Sequence, residues 1–486
     1  MTERLNLLRE ERLKQAQLLE NIGIDPYPGE IPTRTHFNAE IVQNYSEHDD
    51  RSVSVVGRMT GVRTHGKRVF FDLEDESGKI QATITTNGVG NDMFAVFESG
   101  FGVSDFVGVS GRVFKTRMGE VTIDVEEFNM LAKALLPPPA KWGGITDTET
   151  RSRQRYLDLM MNKEVRERFK FRSKMVQFMR QRFLDLDCWE VETPVLDTTY
   201  GGASAKPFVT HHNALGIDLY LRISNELYLK RMLTGGFEGV FEFSRDFRNE
   251  GMDSTHNPEF TQVELYKAYT DYKWMMDMSE TLMSDIVQKL LGATKVEFGG
   301  MQIDLSTPWR RLSIYDGLRE YLGIDPETIS DKELFELAKK EEIEETDRGY
   351  ILVELFGKYV EPRLINPTFV IDYPESTSPL TKKHRTKKGL VERFECVVVG
   401  MEVMNCYTEL NDPRKQRENF EAELKRRMEG DEEAMQTDDD FIIAMEYGMP
   451  PMGGIGISID RWAMILTNAE HIREVITFPT MKPRKG

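Results

Sequence analysis

The sequence predicts an α+β protein with two main parts, a small barrel of five strands and a larger domain of antiparallel strands and helices. Three observations predict this. Short alternating apolar runs fill residues 52–131, a proline-rich break follows at 135–144, and a longer mixed region with strand pairs and helical stretches occupies the rest. A chain of 486 residues is too long for one core and fits roughly two to four domains.

Residues 1 to about 25 read as a charged amphipathic helix ended by Gly23, Pro26 and Pro28. With a lead-in it makes up residues 1–50. The runs SVSVVGRMTGV, KRVFFDLEDESGKIQATIT, DFVGVSGRVF and GEVTIDVEEFNML give about five strands, the count of an OB-type barrel, assigned to 51–136 with a helix within 91–99. LLPPPAKWGG cannot be regular structure, because proline removes backbone donors and blocks the helix. Residues 137–162 are therefore read as a linker. The domain 163–486 opens with a helix over 163–187 and carries a charged helical insertion over 309–363.

Hydrophobic content of 40% and charged content of 30% are those of a soluble globular protein. No apolar run reaches the roughly 18 residues of a membrane span. The start, MTERLNLLREERLKQ, lacks the apolar core of a signal peptide. Cys188, Cys396 and Cys406 form no CxxC pair, which argues against a disulfide framework and a structural zinc site and for a reducing cytoplasm. A net charge of -18 argues against non-specific coating of nucleic acid, which rests on phosphate neutralisation, but not against a local basic patch.

The stretch FEFSRDFRNEGMDSTHNPEFTQVELYKAY, 241–269, reads as a hairpin with a polar loop at 251–257. Alternation puts Arg248 and Glu250 on one face of its first strand, and Phe260, Gln262, Glu264 and Tyr266 on one face of its second. In LVERFECVVVGMEVMNCYTELND, 390–412, Gly400 and Met401 form the expected turn. Asn405, Tyr407 and Glu409 share a face, and Glu402 joins them only through a bulge. Glu395 and Glu402 can then hold a divalent cation, which magnesium chemistry favours. GGIGISIDRWAMIL is a glycine-rich strand turning into a helix near Asp460 and Arg461, without the spacing of a Walker loop or dinucleotide fingerprint. FMRQRFLDLDCWEVETPVL is a helix leading to a strand stopped by Pro194, as at a sheet edge or an interface. Each stretch alone also fits a plain solvated strand or helix connection.

In their order these four segments resemble the three motifs of class II aminoacyl-tRNA synthetases. The helix and Pro194 strand resemble motif 1, the dimer motif. Residues 247–260, from FRNE to HNPEF, resemble motif 2, and Gly454 to Arg461 motif 3. The OB-type domain in front narrows the resemblance to the subclass for lysine, aspartate or asparagine. GGASAKPF (201–208), NELYLK (225–230) and NCYTELND (405–412) point to the lysyl-tRNA synthetases. Glutamates agree with that choice. Glu226, Glu264 and Glu409 are expected to converge on a pocket whose main nearby cation is Arg248, whereas an aspartate pocket needs excess positive charge.

The resemblance implies ATP, L-lysine and tRNA(Lys) as substrates, Mg2+ as cofactor, and a homodimer with no membrane attachment. It implies that Gly202 and Glu226 receive the α-amino group, Arg248 and Asn405 the carboxylate, and Glu264, Tyr266 and Glu409 the ε-ammonium, with Tyr407 beside them. For ATP it implies adenine between Phe260 and Arg461, Glu250 on the adenine amino group, Arg248 on the α-phosphate, and His256 and Asn257 near the phosphates. It further implies that Glu395 and Glu402 hold the metal. On the same resemblance, Arg248 and Arg461 are expected to be the catalytic cations of an in-line attack by the lysine carboxylate on the α-phosphate, a reaction of positioning and charge neutralisation. Phe70, Gln81 and Glu120, the last on a later strand, match anticodon-reading positions, where aromatics stack bases. Thr255 stands where many bacterial members have arginine, and Ser458 where glycine is frequent. The alternatives are a synthetase-like regulatory protein, an aspartate or asparagine enzyme, and a pure RNA-binding module; the retained Arg248, Arg461 and front domain oppose the first.

Overall fold

The computed structural model describes residues 3–139, 145–430 and 436–483 and divides into two compact units, Met1–Ile145 and Thr146–Gly486. The first holds helices α1 (Glu3–Asn21), α2 (Asn38–Gln43) and α3 (Tyr45–His48), then strands β1 (Ser52–His65), β2 (Arg68–Glu74) and β3 (Lys79–Thr85). Helices α4 (Thr86–Val89) and α5 (Asn91–Gly100) and strands β4 (Phe106–Lys115) and β5 (Val121–Ala132) complete it.

These strands close a barrel in the order β1-β2-β3-β5-β4, antiparallel except for the parallel pair β3 and β5. Alternation fills the interior. Val53, Val55, Phe71, Leu73, Ile80 and Val109 point inward and are buried. Helix α5 plugs one end with Phe97, stacked 5.1 Å from Phe101 and edge-on to Phe128 at 5.2 Å. The five strands and the 91–99 helix thus match the sequence reading, and the unit is an OB fold.

Of the expected linker 137–162, residues 140–144 lie outside the described residues. The remainder is more ordered than its composition suggested. Helices α6 (Thr148–Arg153) and α7 (Arg155–Met161) form because Asp147 caps the first. A buried pair, Arg155 and Asp158 at 2.5 Å, pins the second, with Arg155 also donating to the Arg473 and Thr477 carbonyls.

The second unit continues with α8 (Lys163–Leu184), β6 (Trp189–Glu190), β7 (Leu196–Asp197), β8 (Val209–His212), β9 (Ile217–Leu221) and α9 (Glu226–Thr234). Next come β10 (Gly239–Phe247), β11 (Glu259–Ala268), α10 (Tyr272–Leu291), β12 (Lys295–Phe298), β13 (Met301–Asp304) and β14 (Arg310–Ser313). Helices α11 (Ile314–Leu322), α12 (Asp331–Lys340) and α13 (Arg348–Tyr359) precede β15 (Thr368–Ile371), β16 (Arg393–Val398) and β17 (Met401–Thr408). Last are α14 (Pro413–Met428), α15 (Asp439–Glu446), β18 (Met452–Ser458) and α16 (Ile459–Leu466).

Eight of these strands form one sheet in the order β14-β15-β16-β17-β18-β11-β10-β6. It is antiparallel except at its two ends, where β14 runs parallel to β15 and β6 to β10. The stretch 309–363 is helical only from Ile314. Trp309 is buried against Phe369 and Trp462, and that anchor draws Arg310–Ser313 into the sheet as an edge strand.

Helices α8, α10 and α16 cover one face of the sheet. Met175, Met179 and Phe183, then Met283 and Ile286, then Trp462 and Ile465 pack there on Val263, Leu265, Ile455 and Ile457. Alternation leaves the partners of those strand residues, Glu264 and Gly456 among them, on the opposite face. No helix among the described residues is long and apolar enough to cross a membrane.

Candidate active site

The uncovered face holds a cavity of about 400 Å³, and its floor is β18. Cross-strand register sets Tyr407, Gly454 and Tyr266 in one row, and Asn405, Gly456 and Glu264 in the next. The central strand offers no side chain, so its neighbours lean over it. A Cβ on Gly454 would lie 2.1 Å from Glu409 Oε1 and 2.3 Å from Tyr266 Cε1, closer than any packing allows. The glycine-rich run therefore makes room for two polar side chains, a role its sequence alone did not reveal.

Strand β17 enters through a tight turn. Val399 and Gly400, not Gly400 and Met401, occupy it with φ of 51° and 68°, the left-handed pair of a two-residue hairpin. The bulge that Glu402 required is present. Cys396 pairs with Met404 and Val397 with Glu402, so Val403 is the extra residue, and Glu402 lines the cavity with Glu395, Asn405, Tyr407 and Glu409. Glu395 contacts the Arg393 guanidinium and accepts from Asn405 Nδ2 at 3.2 Å. Burial and Glu402 raise its pKa against the pull of Arg393. A third carboxyl stands near: burial, Glu395 and Glu402 push Glu361 up to about 8. Carboxyls crowded in this way are a fitting donor set for a divalent cation.

Arg248 and Glu250 lie beyond the end of β10 rather than on it, because the chain turns into the loop after Phe247. The Arg248 amide donates to the Pro258 carbonyl at 2.9 Å, and its guanidinium sits 5.1 Å over the Phe260 ring. Its Nε is buried without a hydrogen bond, as are Asn257 Oδ1 and Asn405 Oδ1. Orphaned polar atoms around one cavity mark it as a polar binding site. His256 links two charges: Nδ1 lies 2.8 Å from Asp253 and Nε2 2.9 Å from Arg461 Nη2. The arginine can only donate, so Nε2 accepts and Nδ1 carries the proton. Arg461 also donates to the Glu402 carbonyl at 2.6 Å. The start of its helix is fixed by buried Asp460, which accepts from Arg172 at 2.6 Å and from the Thr261 amide at 2.7 Å.

The three expected glutamates do converge, but the nearest cation is not Arg248. Lys230, fully buried, donates to Glu226 Oε1 at 2.5 Å and forms an ion pair with Glu409. Burial opposes its charge, and Glu226 and Glu409 outweigh burial, raising its pKa. Both Glu409 oxygens are buried with no well-aligned donor. Glu264 has only neutral partners: Ser224 Oγ at 3.0 Å, Gln262 Nε2 at 2.8 Å and Tyr266 OH at 2.8 Å. Burial, Glu226 and Asp246 push it up to about 8. Gly202, at φ +83°, closes the cavity over Ser224 and Glu226, where a Cβ would meet both at 3.0–3.1 Å.

Lys230, Arg393, Glu361 and Gln262 were not assigned roles from the sequence. Lys230 follows Glu226 by one helical turn and Arg393 precedes Glu395 by one strand period, so both spacings carried the signal. Glu361 carried none, since it reaches the site only through the fold.

In the barrel unit, Phe70 is half-buried on the outer side of β2, while Phe71 faces the core. Gln81 pairs in register with Asp72 and Thr122 and accepts from Thr122 Oγ1 at 3.0 Å. Glu120 is exposed in the turn before β5 rather than on the strand; its carbonyl accepts the Thr116 amide at 2.9 Å.

Residues 147–482 match the family model of class II tRNA synthetases (D, K and N), and residues 53–131 match the OB-fold nucleic acid binding domain of the anticodon type. A lysine--tRNA ligase of Clostridium botulinum strain Hall is 47% identical over 99% of this chain and 97% of its own. That of Clostridium novyi is 47% identical over 99% and 95%, and that of Clostridium tetani 48% identical over 98% and 96%. Catalytic domain, barrel and near full-length identity agree, and the chain belongs to the class II tRNA synthetases, in the lysine--tRNA ligase family.

Proposed function

We infer that the protein is an ATP-dependent lysine--tRNA ligase, which activates L-lysine as the adenylate with release of pyrophosphate and then esterifies it to tRNA(Lys). The observation that carries the substrate is the charge count of the inner pocket. With all three ionised, as an incoming cation makes them, Glu226, Glu264 and Glu409 supply three negative charges against the one positive of Lys230, leaving a deficit of two. Lysine brings two ammonium groups, and its carboxylate has Arg248 to meet it. Glu264, free of any resident cation, is the group best prepared to receive one of the ammoniums, with Glu226 and Gly202 beside the α-amino group and Tyr266, Tyr407 and Glu409 about the ε-ammonium.

Phe260 and Arg461 line the ATP side, one as a stacking face and the other held by His256, with Glu250 at the adenine edge and Asn257 toward the phosphates. Arg248 neutralises charge developing at the α-phosphate, and Asn405 helps fix the attacking carboxylate. Glu395 and Glu402, with Glu361 behind them, fit a magnesium ion, which when bound neutralises phosphate charge and orients the pyrophosphate. Thr255 supplies no cation to the γ-phosphate. Pyrophosphate exchange into ATP, run with each of the twenty amino acids, tests the reading. Lysine gives the highest rate, and leucine and methionine fall orders of magnitude below, since they would leave buried acids unpaired. A maximum with aspartate or asparagine refutes it.

Phe70, Gln81 and Glu120 are proposed to read the anticodon. Phe70→Ala then weakens tRNA use by roughly 1–3 kcal/mol, the worth of one stacked base, and leaves pyrophosphate exchange unchanged. A parallel fall in both half-reactions would make Phe70 a folding residue instead.

A homodimer through motif 1 completes the reading. Its support is the exposed edge strand β6, with Trp189 65% accessible and Val195 and Leu196 exposed beside it. Such interfaces bury more than about 2,000 Å² in total, so sedimentation at micromolar concentration should return twice the chain mass. An active monomer would contradict it.

A further inference from the structure

Outside the catalytic unit, the lead-in to the barrel carries a cluster that the ligase reaction does not use. His36, just before α2, Glu40, in its first turn, and His48, the last residue of α3, each offer one ligand atom, and all three atoms lie within 4.8 Å of one another. Three points so spaced sit no more than about 2.8 Å from a common centre, and zinc–ligand bonds to imidazole and carboxylate are about 2.0–2.2 Å. A contraction of well under 1 Å on each arm closes the site, within the reach of side-chain rotation alone.

The imidazoles are set up for it. His48 is buried, 8% accessible, and among the described residues its ring has no hydrogen-bond partner. Its one aromatic neighbour is His36, edge-on at 4.7 Å between centroids. With no protein group holding its nitrogens, the ring can turn a lone pair toward a cation. His36 Nδ1 lies 2.8 Å from Thr35 Oγ1. That hydroxyl already donates to the Ser54 carbonyl and accepts the Ser54 amide. Its remaining capacity is as an acceptor, so His36 Nδ1 carries the proton and the lone pair is left on Nε2. A hydrogen bond that fixes the tautomer of a ligating histidine is the usual support of a metal site.

The scaffold around the cluster is rigid. The Asn38 amide donates to Asp75 at 2.9 Å, its side chain to the Leu73 carbonyl at 3.0 Å, and the Ala39 amide to Ser77 at 3.0 Å. The Asp50 amide donates to the Val113 carbonyl at 2.9 Å. The segment is thereby tied to the β2–β3 turn at one end and to β4 at the other.

We propose that His36, Glu40 and His48 form a site for a divalent transition ion, of which zinc is the best probe, clamping the lead-in helices to the barrel. Two imidazoles and one carboxylate select zinc, nickel or copper over magnesium. The site needs no cysteine, which is why cysteine spacing gave no sign of it.

The full-length protein, stripped with chelator and held in excess magnesium to fill the carboxylates of the catalytic unit, is titrated with zinc against a chromophoric competitor. One tight equivalent per chain is expected, with cobalt giving a visible ligand-field spectrum and zinc raising the unfolding temperature. Glu40→Gln, at an exposed position that leaves the apo fold intact, His36→Gln and His48→Gln each weaken zinc about 100-fold or more, since even supporting partners of ligands act at 10–100-fold. Pyrophosphate exchange stays unchanged in all three. Absence of a tight equivalent, or zinc affinity unaltered in all three variants, overturns the proposal.

Discussion

Arg248→Ala is expected to lower the rate of lysine-dependent pyrophosphate exchange by about 10²–10³-fold, the loss seen when one preorganised donor to a transition-state oxygen is removed. The guanidinium is poised for this. It rests on the Phe260 ring, 5.1 Å from its centroid, and its buried Nε has no partner. Its donors are therefore not engaged by a carboxylate that would have to be displaced first. Truncation breaks no buried ion pair, so the fold and unfolding temperature should be near those of the parent. Single-turnover adenylate formation at saturating ATP and lysine measures the effect directly. A loss confined to KM at unchanged rate would show that Arg248 binds substrate without stabilising the transition state.

Glu264→Gln is expected to raise the lysine KM about 10²-fold, close to 3 kcal/mol and the lower end of the cost of breaking a desolvated ion pair. The rate at saturation should change little, because the ammonium is bound equally in ground and transition states. Glu264 is the sharper choice over Glu409, since Lys230 already neutralises part of Glu409. Its pKa of about 8 against an ordinary 4.5 adds a second readout. Below about pH 8 the empty pocket holds a proton on Glu264, which an incoming ammonium must displace. Lysine affinity therefore rises as pH increases toward 8, and binding releases a proton that calorimetry in buffers of different ionisation enthalpy detects. The sign for stability is opposite. The folded, lysine-free protein binds the extra proton, so this group's contribution declines as pH climbs from 4.5 to 8. An unaltered KM in a folded Glu264→Gln protein, or no proton release in the parent, removes Glu264 from the groups that bind the lysine ammonium.

Much of the site was legible because β-strand alternation is strict. Phe260, Gln262, Glu264 and Tyr266 share a face by period alone, and the condition set on Glu402, a bulge before Asn405, is met at Val403. What alternation could not reveal was where a strand stops. Arg248 and Glu250 continue the period of β10 in sequence, yet the loop carries them off it, since a hydrogen-bond ladder and not side-chain pattern ends a strand. Nor could pattern reveal pairing between elements. Lys230 is one helical turn from Glu226, but its contact with Glu409, 179 positions later, exists only in the folded sheet. The ordered pieces within 137–162 escaped for a related reason: the proline-rich start marked the whole stretch as a linker, and the partners that hold its second helix, the Arg473 and Thr477 carbonyls bound by Arg155, lie far along the chain.

The bulge in β17 has a consequence for how this segment tolerates changes of length. Glu402 and Asn405 are an odd number of positions apart, and Val403 absorbs the difference. Deleting Val403 would bring Cys396–Met404 and Val397–Glu402 into an unbroken ladder with both groups still on the cavity side. Deleting Cys406 would turn Tyr407 and Glu409 into the helix-covered core, because a slip of one residue reverses every side chain beyond it. The strand thus has a single point of slack, set between the residues assigned to the metal and those assigned to the amino acid. Length variants of this protein that keep the pocket should be found there and nowhere else along the strand.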